Sequence, residues 1–207
     1  MKAQLRLSFI LLLICKFLFV QAQIEKQYYE NGLLRAEGEL VEGEKTGEWK
    51  FYYPKGTLQA IEHYKNDTLN GEAQSYDFDG KLQSRENWIN GSLEDSAFYY
   101  YPTQQLKREG AYKNSQYEGV WVNYYPTGVL KRTLAYKNGF PDGVWLYYSE
   151  KGVLLQKGFY KEGKENGDWE FYSKKGKLMY KGTYENGRKA GNWIEIKNGK
   201  ERPFKYK

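Results

Sequence analysis

Cysteine is nearly absent from this chain of 207 residues: Cys15 is the only one, and it lies in an N-terminal apolar run. Past that run there is no thiol, so disulfides and cysteine chemistry are excluded. Histidine is as scarce. His63 stands alone, and a single imidazole without cysteine neighbours does not make a metal site or a serine–histidine–acid arrangement. No G-x-S-x-G occurs, and the glycines lack the lysine–serine ending of a phosphate loop. No catalytic residue, cofactor or metal ligand is therefore expected. Apolar residues at helical spacing never persist beyond about two turns without glycine, which excludes a helical fold.

Long apolar runs are missing too, with one exception. Lys2 and Arg6 precede the stretch Leu7–Val20, which ends in Val20-Gln21-Ala22. This reads as a signal peptide over residues 1–22, cleaved after Ala22. With Lys16 inside it, the run is shorter than the roughly 20 residues that cross a bilayer, so no integral span is expected after cleavage. Ile14 before Cys15 argues against a lipid anchor. The protein is expected to be exported, to the periplasm or the cell surface. Losing Lys2, Arg6 and Lys16 lowers the formal charge from +6 to +3, which weakens the case for nucleic acid or an anionic membrane as partner.

What the chain has in abundance is repetition. Trp49, Trp121, Trp145, Trp169 and Trp193 are separated by 72, 24, 24 and 24 residues. Tyrosine recurs with the same period from Tyr52 to Tyr172, leucine from Leu58 to Leu178, and an aromatic at Tyr64, Trp88, Tyr112, Tyr136, Tyr160 and Tyr184. Glycine recurs at Gly47, Gly71, Gly119, Gly143, Gly167 and Gly191. Self-similarity of this kind marks a repeat array. The array reads as a half repeat at 23–46, full repeats at 47–70, 71–94, 95–118, 119–142, 143–166 and 167–190, and a truncated repeat at 191–207.

The unit from Gly119 to Asp142 predicts two strands and two turns. Val120–Tyr125 is rich in aromatic and β-branched residues, and Pro126-Thr127-Gly128 fits a type I turn. Leu130–Tyr136 alternates apolar and polar residues, and Asn138-Gly139 supplies the positive φ of a tight hairpin turn. Where other repeats have Gly110, Gly158 or Gly182 at the column of Leu134, a neighbouring aromatic has room to lie on the backbone. A hairpin cannot bury its apolar face alone. The expected fold is all-β, an elongated antiparallel meander of tandem 24-residue hairpins.

The motif G-x-W-x-x-Y-Y-x-x-G-x-L-x-x-x-G-x-Y-x-x-G resembles the bacterial MORN-repeat variant, the kind found in YwqK-like antitoxin proteins. Gly167, Trp169, Tyr172, Gly176, Leu178, Gly182, Tyr184 and Gly187 carry the resemblance, which spans roughly residues 27 to 199. It implies a hairpin-built sheet used as an interaction surface, with toxin neutralisation as the narrower implication. Ala73 and Ala97 stand at the tryptophan column, Asp95 at the opening glycine and Gln104 at the turn glycine. Asp77, Asp79, Glu94 and Asp95 read as turn and loop acids, and His63 as an exposed strand residue.

These readings make the protein a non-enzymatic scaffold that binds an unidentified protein partner. The alternative is a carbohydrate or cell-wall binding module that uses aromatic ladders. Trp88, Tyr99, Tyr101, Trp121, Trp145 and Trp169 are the candidate surface, with the two alanines opening a shallow groove beside the first three.

Overall fold

A computed structural model describes residues 22–205. The leader expected over 1–22 lies, apart from Ala22, outside them. Eighteen strands and no helix make up the described chain. The strands pair antiparallel, each with its neighbours along the chain, from Gln23–Tyr28 at one edge to Lys200–Phe204 at the other. The chain is thus one open, all-β meander. Two strands are broken near their starts, Thr68–Leu69 from Gly71–Tyr76 and Ser92–Leu93 from Asp95–Tyr100. Counting each as one strand, and taking about 4.8 Å per strand, the sheet runs roughly 70 Å across its strands before twist.

The turns follow the expected chemistry. Gly128 N–H donates to the Tyr125 carbonyl at 2.8 Å, which closes the turn around Pro126. Asn138 and Gly139 hold φ of 50° and 81°, as a two-residue hairpin turn requires.

The start of the unit's first strand needs correcting. The first strand of the unit above is Gln116–Tyr124, and it contains the glycine expected to precede it. Gly47, Gly119 and Gly167 have φ near +70° within unbroken strands, and the opposing ladder shifts register there. They are bulge glycines. The sequence signal was the same, but a glycine inside a strand at positive φ looks like a boundary until its partners are known.

Asp95 and Gln104 take over glycine positions and keep their conformation, at φ of 62° and 67°. A side chain in this region costs about 1–2 kcal/mol. Gln104→Gly is expected to raise stability by about 1 kcal/mol, read as a higher urea midpoint. The gain is net of a 3.2 Å bond from Gln104 Nε2 to the Leu82 carbonyl.

Candidate interaction surface

A single sheet has two faces and no second layer, so its core is one side chain deep. The buried apolar side chains among the described residues are Ala36, Trp49, Ala97, Trp121, Leu134, Trp169 and Trp193. Four of these seven are tryptophans, each lying flat on a glycine eleven residues earlier. A Cβ added to Gly38, Gly110, Gly158 or Gly182 would come within 2.2–2.3 Å of the ring of Trp49, Trp121, Trp169 or Trp193, respectively. The Nε1 groups of Trp49, Trp121 and Trp193 donate to the carbonyl just after that glycine, at 3.0, 2.9 and 3.2 Å. Tyrosines stand edge-on between the indoles, as Tyr112 does to Trp121 and Tyr160 to Trp169, at 5.0 and 5.4 Å between ring centroids. Cations cover the column's outer side: Lys45 lies over Trp49, Phe51 and Tyr64, and Lys189 over Trp193 and Phe204.

The glycine–tryptophan pairing explains the repeats that depart from the pattern. Glu62 and Glu86 occupy the glycine position, and the residues eleven further on are Ala73 and Ala97. The carboxylates accept the hydroxyls of Tyr64 and Tyr99 at 2.5 and 2.7 Å. Burial, and for Tyr64 the Glu62 carboxylate, push those hydroxyls above their ordinary range. Ala97 is 0% exposed, so no groove opens beside it. Leu134 offers a third variant. Its register partner Trp145 has a leucine side chain where the other indoles have glycine, and is half-buried with Nε1 bonded to Gln156 Oε1 at 3.2 Å.

The candidate residues therefore fall into different environments. Trp121 and Trp169 are buried at 3% exposure and present no ring to solvent. Trp145 and Trp88 are half-buried on the same face. Tyr99 bonds Glu86 and lies 3.1 Å from the Tyr112 hydroxyl. Tyr101 ties one turn to the next, donating to the Tyr124 carbonyl at 2.9 Å, as Tyr29, Tyr53 and Tyr125 do in their repeats.

The singled-out acids perform turn chemistry. Asp77 accepts the N–H groups of Asp79 and Lys81 at 2.9 Å, and Glu94 accepts that of Asn114 in the next turn at 2.7 Å. His63 is half-exposed, because its Nδ1 lies 2.7 Å from the Glu72 carbonyl and its Cβ packs against Gly71. No cluster of metal-ligating side chains occurs among the described residues.

The opposite, outer face holds what the repeat consensus did not flag. At one level across the sheet it reads Glu48, His63, Glu72 and Asn87, then Val120, Ala135, Val144 and Phe159, then Asp168 and Thr183. The adjoining level supplies Val122, Thr133 and Leu146. Val120, Val144 and Phe159 are 59%, 52% and 37% exposed. An apolar patch thus sits in the middle of a polar face. Comparing each column from repeat to repeat reveals it, whereas averaging them conceals it. Its rim is already paired, with Glu109 accepting the Tyr124 hydroxyl at 2.7 Å and Lys157 3.9 Å from Glu170.

A one-layer sheet of tandem hairpins with turn and tryptophan contacts repeating every 24 residues defines a repeat scaffold protein. The chain belongs to the MORN repeat variant family, which matches residues 45–66, 69–90, 117–138, 141–162 and 165–186. The unmatched repeat between them contains Asp95, Ala97 and Gln104. No curated protein matches the chain. Among solved structures, it is similar to the TcdB2-TccC3-Cdc42 complex at 14% identity and a TM-score of 0.20, over 83% of this chain and 13% of that one. A porin-like protein from Bacteroides uniformis is 9% identical with a TM-score of 0.20, over 87% of this chain and 92% of that one.

Proposed function

We propose that this protein is a scaffold that docks a folded partner protein on the outer apolar patch around Val120, Val144 and Phe159. The observation that supports this reading is the contrast between the faces. On one face four of the six indoles are spent on glycine backbone, while on the other branched aliphatic side chains stand exposed inside a rim of paired charges. An apolar centre within a polar rim is the anatomy of a protein interface. A neutral sugar would instead need open aromatic platforms, and Trp121 and Trp169 are covered. The rim carries both signs, at Glu109, Lys157, Asp168 and Glu170, which suits a protein better than an anionic lipid surface. Export belongs to the same proposal and rests on the leader sequence. Toxin neutralisation is its narrower form and rests on the family resemblance.

Photo-crosslinking side chains placed at Val120, Val144 and Phe159 are expected to trap one and the same partner protein, and one at Arg132 on the opposite face is not. With that partner purified, Val144→Asp is expected to weaken binding by at least about tenfold without altering the circular dichroism of the scaffold. Equal trapping from both faces, or trapping of a second copy of this chain alone, would overturn the reading.

A further inference from the structure

On the tryptophan face, one cross-strand row differs from all the repeats around it. Consecutive register partners place Tyr99, Arg108, Asn123, Arg132 and Tyr147 side by side on five adjacent strands. The same row has Ala36, Phe51, Ala60, Ser75 and Ser84 before it and Gln156, Phe171 and Tyr180 after it. Between Ala36 and Tyr180, the two arginines are the row's only charges.

They are held but not neutralised. The Arg108 guanidinium lies 4.0 Å from the centre of the Tyr99 ring and 5.5 Å from that of Trp121, and its Nη1 donates to the Tyr117 hydroxyl at 3.2 Å. Arg132 lies 5.8 Å over the Trp145 ring, whose register partner is Leu134. Among the described residues neither arginine has a carboxylate partner, although Arg85, Lys157 and Lys181 all do. The Asn123 amide between them has no side-chain hydrogen bond among the described residues. Tyr136 stands two rows away on the same face: burial pushes its hydroxyl up, and the Arg132 and Arg108 charges pull it back down. Stacking fixes the planes of the forks and leaves most of their N–H donors free, which is how arginine is prepared for a carboxylate.

We propose that this row binds an acidic polysaccharide, with uronate carboxylates on Arg108 and Arg132, ring hydroxyls on Asn123, and a sugar face against Tyr147. The arginines are two strands apart, about 10 Å. A partner protein would call for an apolar centre, which the other face has and this row lacks. A peptide also gains no strand pairing here, because the row lies in the interior of the sheet, where the ladder is already paired. A chain of pyranose rings is itself a flat ribbon, and both of its chemical features, carboxylate and hydroxyl, have a partner in the row.

The test is calorimetric titration of the full-length exported chain with an oligogalacturonate hexamer. Parallel titrations use a neutral hexasaccharide, poly-glutamate and a single-stranded oligonucleotide. Saturable binding of the uronate alone is expected, weakened about tenfold or more by Arg132→Ala and only partly restored by Arg132→Lys, which keeps the charge and loses the fork. Val144→Asp, on the other face, is expected to leave it unchanged, so this site and the protein-docking surface stand or fall separately. Equal affinity for poly-glutamate, the oligonucleotide or the neutral sugar would overturn the proposal. So would absence of uronate binding, or uronate affinity that Arg132→Ala leaves intact.

Discussion

Trp169→Ala is expected to destabilise the protein by about 3–5 kcal/mol, as large core truncations do. The indole fills nearly all the depth that a one-layer sheet has, between Gly158 beneath it and Tyr160 and Tyr184 at its edges. Gly158→Glu should be damaging by the reverse route, since a Cβ there would sit 2.2 Å from the ring. The sharper expectation concerns the double variant. Glu62 with Ala73 and Glu86 with Ala97 already show that the pair can be exchanged as a unit. Combining Gly158→Glu with Trp169→Ala should therefore cost less than the sum of the single changes, by about 1 kcal/mol or more. Urea melts of the four proteins measure the coupling, and strict additivity would show that the tryptophan is not seated on that glycine.

Alkaline unfolding between pH 10 and about 12 is the second large effect expected. Tyr124 and Tyr172 are both pushed up to about 12, first by burial and then by the Glu109 and Glu170 carboxylates that their hydroxyls bond. Tyr52, Tyr64 and Tyr99 are raised as well, again chiefly by burial. An unfolded tyrosine ionises near 10, so the folded state favours the neutral hydroxyl. The stability this contributes is whole below pH 10 and is lost as the pH rises through the folded-state values. Circular dichroism and tyrosinate absorbance should change together in one transition. Tyr124→Phe should move that transition to higher pH. If the tyrosines ionised near pH 10 with the sheet intact, their burial would be refuted.

Glu37 gives a smaller effect at the acid end. Its carboxyl is held below the usual range by the Tyr52 hydroxyl and by Lys26, 3.2 Å away. That contribution is present above the ordinary carboxylate range and fades as the pH falls.

The hairpin unit was legible because turn residues and alternation act locally: Pro126, Gly128, Asn138 and Gly139 have the conformations their chemistry demands. The bulge at Gly119 was not, since a glycine at positive φ looks alike in a turn and in a strand until the opposing strand is in place. The candidate surface was half legible. The recurring aromatics were visible as columns, but the burial of each tryptophan hinges on a residue eleven positions away. Gly158 lets Trp169 lie flat, and Leu134 stands in the same place for the half-buried Trp145.

By itself the sequence determined the repeat and the antiparallel hairpins, because spacing and alternation are properties of one dimension. Only the tertiary structure decided which face each column occupies. The pairing of successive strands turns residues 24 apart into neighbours on one surface, and two apolar columns and one arginine row acquire meaning only there.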